Sequence, residues 1–126
     1  MKFNKAFQVL SATSLIILMF SPPSWGESLK LAHIASPEAY ELLLENEKVI
    51  VIRMVLKPGQ ADKLHRHNNE TVYFEKGGKL KISEHQGESF EAEIPDGHVM
   101  WHKAWAHQVT NVGTSEVIAI IVEDKP

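Results

Sequence analysis

Residues 48–84, KVIVIRMVLKPGQADKLHRHNNETVYFEKGGKLKISE, decide the fold class. KVIVIRMVL is dense in β-branched side chains and reads as a strand. It stops at Lys57, Pro58 and Gly59, because proline cannot donate to a ladder and glycine permits a turn. TVYFEK, the Gly77 and Gly78 pair and KLKISE read as a hairpin, and HQG followed by ESFEAEI extends the pattern to a second. Beyond Pro95, Asp96 and Gly97 come HVMWH, a connection through Lys103 to Ala106, HQVTNV, a GTS turn and EVIAIIVE. Short strand-forming runs separated by turn formers predict an all-β sandwich or barrel. Only SPEAYELLLENE, residues 36–47, carries helical signals. Ser36 suits a cap, Pro37 and Glu38 suit a first turn, and Leu42 to Leu44 offer an apolar face, which predicts one short N-terminal helix or turn at the barrel mouth. The run from Val117 to Val122 is apolar at every position, so it is expected to be covered on both faces, by a second sheet or by the partner of a homodimer.

The first 26 residues differ from the rest. Lys2 and Lys5 precede an apolar run from Ala6 to Phe20, and SPPSWG follows with turn formers and small residues, the layout of a secretory signal peptide. The run is about 15 residues, short of the roughly 20 that span a bilayer, so a membrane anchor fits less well than a cleaved signal. Ser24 and Gly26 suit the minus-three and minus-one positions, and the processed protein is expected to start at Glu27. The division is thus a signal peptide over residues 1–26 and one barrel domain over residues 27–126, in a periplasmic or secreted protein without a stable membrane anchor.

The sequence has no cysteine, so lipid attachment through a thiol and disulfides are both excluded, and an exported domain of this size must be held by its core, its sheets or a metal. Without residues 1–26 the chain carries 11 basic against 16 acidic side chains, a formal charge of −5, which speaks against a nucleic-acid partner. All seven histidines lie in the expected mature part.

The histidines carry the chemistry. His65 and His67 enter a strand-like stretch, where residues two apart point the same way, so both imidazoles can converge while Arg66 points to the other face. Imidazole is the commonest metal ligand, yet two solvated loop histidines would show the same spacing. Glu70 shares its period-two face with Val72 and Phe74. If the strand includes Glu70, a carboxylate points toward the core, where it needs a cation or hydrogen-bond donors; if the strand begins later, the side chain is solvated. His107, Val109 and Asn111 share a face, a mixed row that lines a polar cavity or faces solvent, and Gln108 on the opposite face makes the second arrangement poor.

With these residues in place, GQADKLHRHNNETVYFEKG resembles the first motif of the cupins, with Gly59, His65, His67, Glu70 and Gly77 at the motif positions. GHVMWHKAWAHQVTN resembles the second motif through Gly97, His107 and Asn111. The resemblance spans residues 48–123 and implies a cupin-type jelly-roll β-barrel. It also implies one divalent transition metal, iron, manganese, zinc, nickel or copper, held by His65, His67, His107 and Glu70. Two departures bear on this. Only two residues separate His67 from Glu70 where three or four are usual, which would leave a three-histidine site if Glu70 misses the ion. Lys103 and Trp105 replace the proline and glycine of the second motif's turn, placing Lys103 near the mouth and Trp105 where it narrows it.

Other features read more plainly. His98 and His102 lie opposite Val99 and Trp101 and are expected at the surface or mouth. His33 and His85 have no partner in the sequence. Met54, Met100, Tyr73, Phe74, Phe90 and Trp101 are expected to pack the core, and Glu84, Glu88, Glu91 and Glu93 form the solvated side of a hairpin. The functional expectation is a small metal-binding cupin acting on or binding a small molecule, an oxygenase, isomerase or lyase if it is an enzyme, with Tyr73, His102 and Lys103 as acid or base candidates. The alternatives are a non-catalytic binding module and a metal-free barrel that pairs with a partner.

Overall fold

The computed structural model describes residues 29–126, so the expected signal peptide and its cleavage site lie outside the described residues. One four-residue helix, α1 (Ala32–Ala35), precedes nine strands: β1 (Tyr40–Glu45), β2 (Val49–Leu56), β3 (His65–His67), β4 (Glu70–Lys76), β5 (Gly78–Glu84), β6 (Ser89–Ile94), β7 (Val99–His102), β8 (Trp105–Asn111) and β9 (Val117–Asp124). The strands form two sheets, ordered β1-β2-β9-β4-β7 and β3-β8-β5-β6. All the named strand pairs are antiparallel. No helix among the described residues is long and apolar enough to cross a membrane.

Period-two alternation builds the core from both sheets. Ile50, Ile52, Met54 and Leu56 of β2 face inward with Val117, Ala119 and Ile121 of β9 and with Val72 and Phe74 of β4; Leu80, Ile82 and Val109 close the interior from the second sheet. β9 is the middle strand of the larger sheet, which accounts for its apolar run: its inner row packs the core, and its outer row, Ile118, Ile120 and Val122, lies beside Val55, Arg53 and Val51. Tyr73, Phe90 and Trp101 are exposed, a correction to their expected place in the core. Thr71 pairs with Trp101 and Tyr73 with Val99, so Tyr73 and Trp101 stand on the outward side of the larger sheet.

Two local expectations are corrected. The helical reading of residues 36–47 fails because Tyr40–Glu45 pairs with β2 as an edge strand, with a bulge between Leu42 and Leu44. Three leucines in a row do not make a helical stripe, and tertiary pairing overrides the modest helix preference of Glu and Leu. The short helix lies just upstream, and Ser36, at its C-terminal end, accepts a hydrogen bond on Oγ from the Lys63 backbone N–H at 2.8 Å. The second correction concerns Gly77 and Gly78, which do not turn a hairpin. β4 belongs to one sheet and β5 to the other, so the glycines carry the chain across. A Cβ at Gly77 would sit 1.8 Å from the Ile94 carbonyl oxygen, a backbone approach that no side chain permits. The β5–β6 hairpin forms as read, with Ser83 opposite Ser89.

Candidate metal centre

β3 is three residues long and places both of its histidines inward. Arg66 points the other way, its Nε donating to the Leu29 carbonyl at 3.0 Å and its Nη1 to Asn68 Oδ1 at 3.3 Å. The register of β3 against β8 sets His65 opposite His107 and His67 opposite Trp105. Two residues close in sequence thereby meet one from 40 positions further on. The three rings lie 4.6 to 5.0 Å apart by centroid and are steeply inclined to one another. Each offers a ring nitrogen within 4.8 Å of the other two, and their residues are 0, 3 and 5 % exposed.

Hydrogen bonding fixes what these nitrogens present. His65 Nδ1 lies 2.7 Å from the Lys63 carbonyl oxygen, an acceptor only, so Nδ1 carries the hydrogen and Nε2 the lone pair. His67 Nδ1 is held by the Glu123 carboxylate in the same way, which leaves its Nε2 with a lone pair as well. Those two Nε2 atoms face each other at 2.8 Å. Two such nitrogens stay at that distance with a cation between them, either a proton shared as an N–H···N bond or a metal ion. His107 adds a buried Nδ1 with no hydrogen-bond partner. Burial holds the His67 and His107 imidazoles well below the usual histidine range, and the neighbouring histidines push the same way, so both rings are neutral at pH 7. Preoriented and desolvated imidazoles, two of them with outer nitrogens tied to a carbonyl and a carboxylate, are the donor set a transition metal takes.

Glu70 is buried on the face of Val72 and Phe74, as the alternation requires. It stands beside His67 rather than among the three imidazole nitrogens: Oε1 accepts the Trp105 indole N–H at 2.8 Å, and Oε2 lies 3.1 Å from His67 Nδ1. The single Nδ1 hydrogen goes to Glu123, so Glu70 Oε2 is left without a hydrogen bond. His67, Glu70 and Glu123 make a second buried group whose ligand atoms lie within 4.8 Å, sharing His67 with the first. Burial pushes the Glu70 carboxyl up to about 7, the Trp105 hydrogen bond opposes this and Glu123 adds to it; burial raises Glu123 as well. Trp105→Phe removes the opposing hydrogen bond. The Glu70 carboxyl of the metal-free variant is therefore expected to titrate higher than in the wild type, read by carbon NMR of labelled glutamate, and an unchanged or lower value would contradict the assigned contact.

Sequence reasoning misses Glu123, although a signal exists: the period-two row of Val117, Ala119 and Ile121 continues to Glu123, so the reading that turns Glu70 inward applies equally. Asp62 has no local signal. It lies before β3, is 2 % exposed, and accepts the Tyr40 hydroxyl on Oδ2 at 2.6 Å and the Val109 N–H on Oδ1 at 2.7 Å. Burial raises its carboxyl, while His65 and these two hydrogen bonds oppose the rise. Asn111 is structural: its amide donates to the Leu56 and Ser115 carbonyls, and its Oδ1 accepts from Gly113.

A cavity of about 310 Å³ adjoins the centre, its lining extending from His67, Glu70 and His107 to His98 and Phe90, which are exposed. Of the three acid or base candidates, His102 lines it, stacked on Trp105 at 3.7 Å. Tyr73, on the outward face, and Lys103, which is exposed, do not. Trp105 does stand at the cavity wall, edge-on to His107 at 4.0 Å.

Two antiparallel sheets enclose the buried imidazole cluster, and solved structures share this fold. A cupin domain from Bordetella pertussis Tohama I superposes with a TM-score of 0.63 at 24% identity, covering 69% of this chain and 92% of that one. An RmlC-like cupin family protein with a double-stranded β-helix fold from Methanocaldococcus jannaschii gives 0.55 at 16% identity, covering 68% and 77%. A predicted oxalate decarboxylase from Thermotoga maritima gives 0.50 at 22% identity, covering 69% and 79%. No family model matches the sequence. No curated protein matches it either. The chain has the cupin fold, the double-stranded β-helix, with a buried His and Glu group that could hold a metal ion.

Proposed function

We propose that this protein is a mononuclear metal cupin that binds a small molecule in the cavity beside its metal. The observation that carries the reading is the buried convergence of three imidazoles, with His65 and His67 Nε2 facing each other at 2.8 Å while both Nδ1 atoms are hydrogen-bonded outward. His65, His67 and His107 would hold the ion, with Glu123 and the Lys63 carbonyl orienting two of the rings and Glu70 standing at the cavity side of His67. Imidazole donors suit zinc, copper, iron and nickel. When bound, such an ion supplies Lewis acidity and an open coordination position for an oxygen-bearing ligand. The chain's own part is to keep the rings desolvated and preoriented and to enclose the ligand in a wall of apolar side chains.

Elemental analysis of the purified protein tests this. Near-stoichiometric first-row metal is expected in the wild type and at least a tenfold lower content in His65→Ala and His67→Ala. A wild type without metal after growth and purification in its presence would favour the metal-free barrel.

We further propose that the protein works in the periplasm or outside the cell after loss of residues 1–26. Lys2, Lys5 and the apolar run that follows support this reading. Expressed with its full leader, the exported product is expected to begin at Glu27 by intact mass, and a product that retains Met1 would count against export by cleavage.

A further inference from the structure

The cavity beside the metal centre is chemically lopsided. Among the described residues its lining includes no lysine and no arginine, while Glu70, Glu84 and Glu93 all contribute to it. Its walls are the inner faces of β4 and β5, with Val72, Phe74, Leu80 and Ile82, joined by Met100 and Ala92. The buried polar groups of the lining are His67, His107, Glu70 and Tyr40, while Glu84, Glu93 and His98 are exposed and His102 is half-buried. The Trp105 N–H is committed to Glu70 and the Tyr40 hydroxyl to Asp62.

Each feature restricts the ligand. A dicarboxylate, a phosphate ester or a sugar acid carries charge that burial penalises heavily unless cationic groups meet it, and beyond the proposed ion itself this lining offers no lysine or arginine. A polyol needs hydrogen-bond partners along its length, whereas most of this lining is apolar. An apolar body gains from the walls through burial alone.

We infer that the ligand is an uncharged, largely apolar molecule, of the bulk of a bicyclic aromatic, with a single oxygen-bearing head directed at the three imidazoles. The head rests on the metal reading given above; the apolar body does not, and it is testable without metal. The class differs from oxalate, the small dianion for which the predicted Thermotoga maritima decarboxylase is named.

The experiment uses two fluorescent probes that share one ring system, neutral N-phenyl-1-naphthylamine and its sulfonated analogue 1-anilinonaphthalene-8-sulfonate. They are titrated into the full-length purified protein after removal of metal with a chelator. The neutral probe is expected to bind at least tenfold more tightly than the sulfonated one. Ala92→Phe, which adds a ring to the cavity from the edge strand β6, is expected to weaken the neutral probe at least tenfold while leaving the circular dichroism spectrum unchanged. Equal affinity for the two probes, preference for the sulfonate, or a folded Ala92→Phe protein that binds the neutral probe like the wild type would overturn the inference. The wild-type ratio stands alone if the variant fails to fold. In cobalt(II)-loaded protein, 2-naphthol is expected to shift the visible cobalt absorption and naphthalene is not. A cobalt-bound protein whose spectrum ignores 2-naphthol overturns the placement of the head, whereas failure to bind cobalt at all strikes the metal reading and leaves the probe ratio to decide the ligand class.

Discussion

Cobalt(II) or zinc at about 100 times its dissociation constant is expected to stabilise the wild-type protein by about 2.7 kcal/mol, and His107→Ala is expected to remove that gain. For a domain of this size the gain is on the order of 10 °C in melting temperature. The size of the effect is set by mass action at that ratio, and preorganisation acts by lowering the dissociation constant. His65 and His67 already turn their Nε2 atoms toward each other at 2.8 Å, and burial keeps His67 and His107 neutral at pH 7, so an ion need not reorder these side chains to bind. His107 is the informative position because it comes from a different strand and contributes the third nitrogen, without which the two β3 histidines form only a pair. Thermal melts with and without metal check this. A His107→Ala protein that keeps the metal-dependent shift would show that the ion sits elsewhere.

Asp62→Ala is expected to cost about 4 kcal/mol, read by urea unfolding of the metal-free protein. The carboxylate receives the Tyr40 hydroxyl and the Val109 N–H inside the protein, and truncation would leave both donors buried without partners, at about 1 to 3 kcal/mol each, along with a small void. A domain with a total stability of roughly 5 to 15 kcal/mol would feel such a loss strongly. Asp62→Asn keeps an acceptor for Val109, and the Tyr40 hydroxyl can turn to accept from the new amide, so a smaller cost is expected. Tyr40→Phe combined with Asp62→Ala removes one of the orphaned donors and should recover part of the loss. A cost below about 1 kcal/mol for Asp62→Ala would mean that these hydrogen bonds do little for the fold.

Asp62 also marks where sequence reading stops. Its partners lie 22 and 47 positions away, on β1 and β8, and no local pattern announces either contact. The same limit explains Gly77 and Gly78: two glycines between two strand signals look like a tight hairpin, and only the assignment of β4 and β5 to different sheets shows that they carry a crossover. β1 reads wrongly because residues 36–47 combine a capping serine, an early proline and good helix formers, and local propensity has no term for the open edge of β2. Where the information is periodic, by contrast, it is legible. Two residues apart on an extended chain put His65 and His67 together, and alternation turns Glu70 inward with Val72 and Phe74 and His107 inward with Val109. The meeting of His107 with the β3 pair depends on the pairing of β3 with β8, which the sequence conveys only through the resemblance of its two motifs to the cupins. Glu123 belongs to the legible set, since it continues the inward row of β9.

The most direct measurement is a crystal structure of the full-length protein soaked or grown with zinc or cobalt(II), with anomalous scattering used to locate the ion. One ion is expected within coordinating distance of His65 Nε2, His67 Nε2 and a ring nitrogen of His107, with His67 Nδ1 still bound to Glu123. An ion lodged instead between Glu70 and Glu123, or three imidazoles without any ion at saturating metal, would contradict the account.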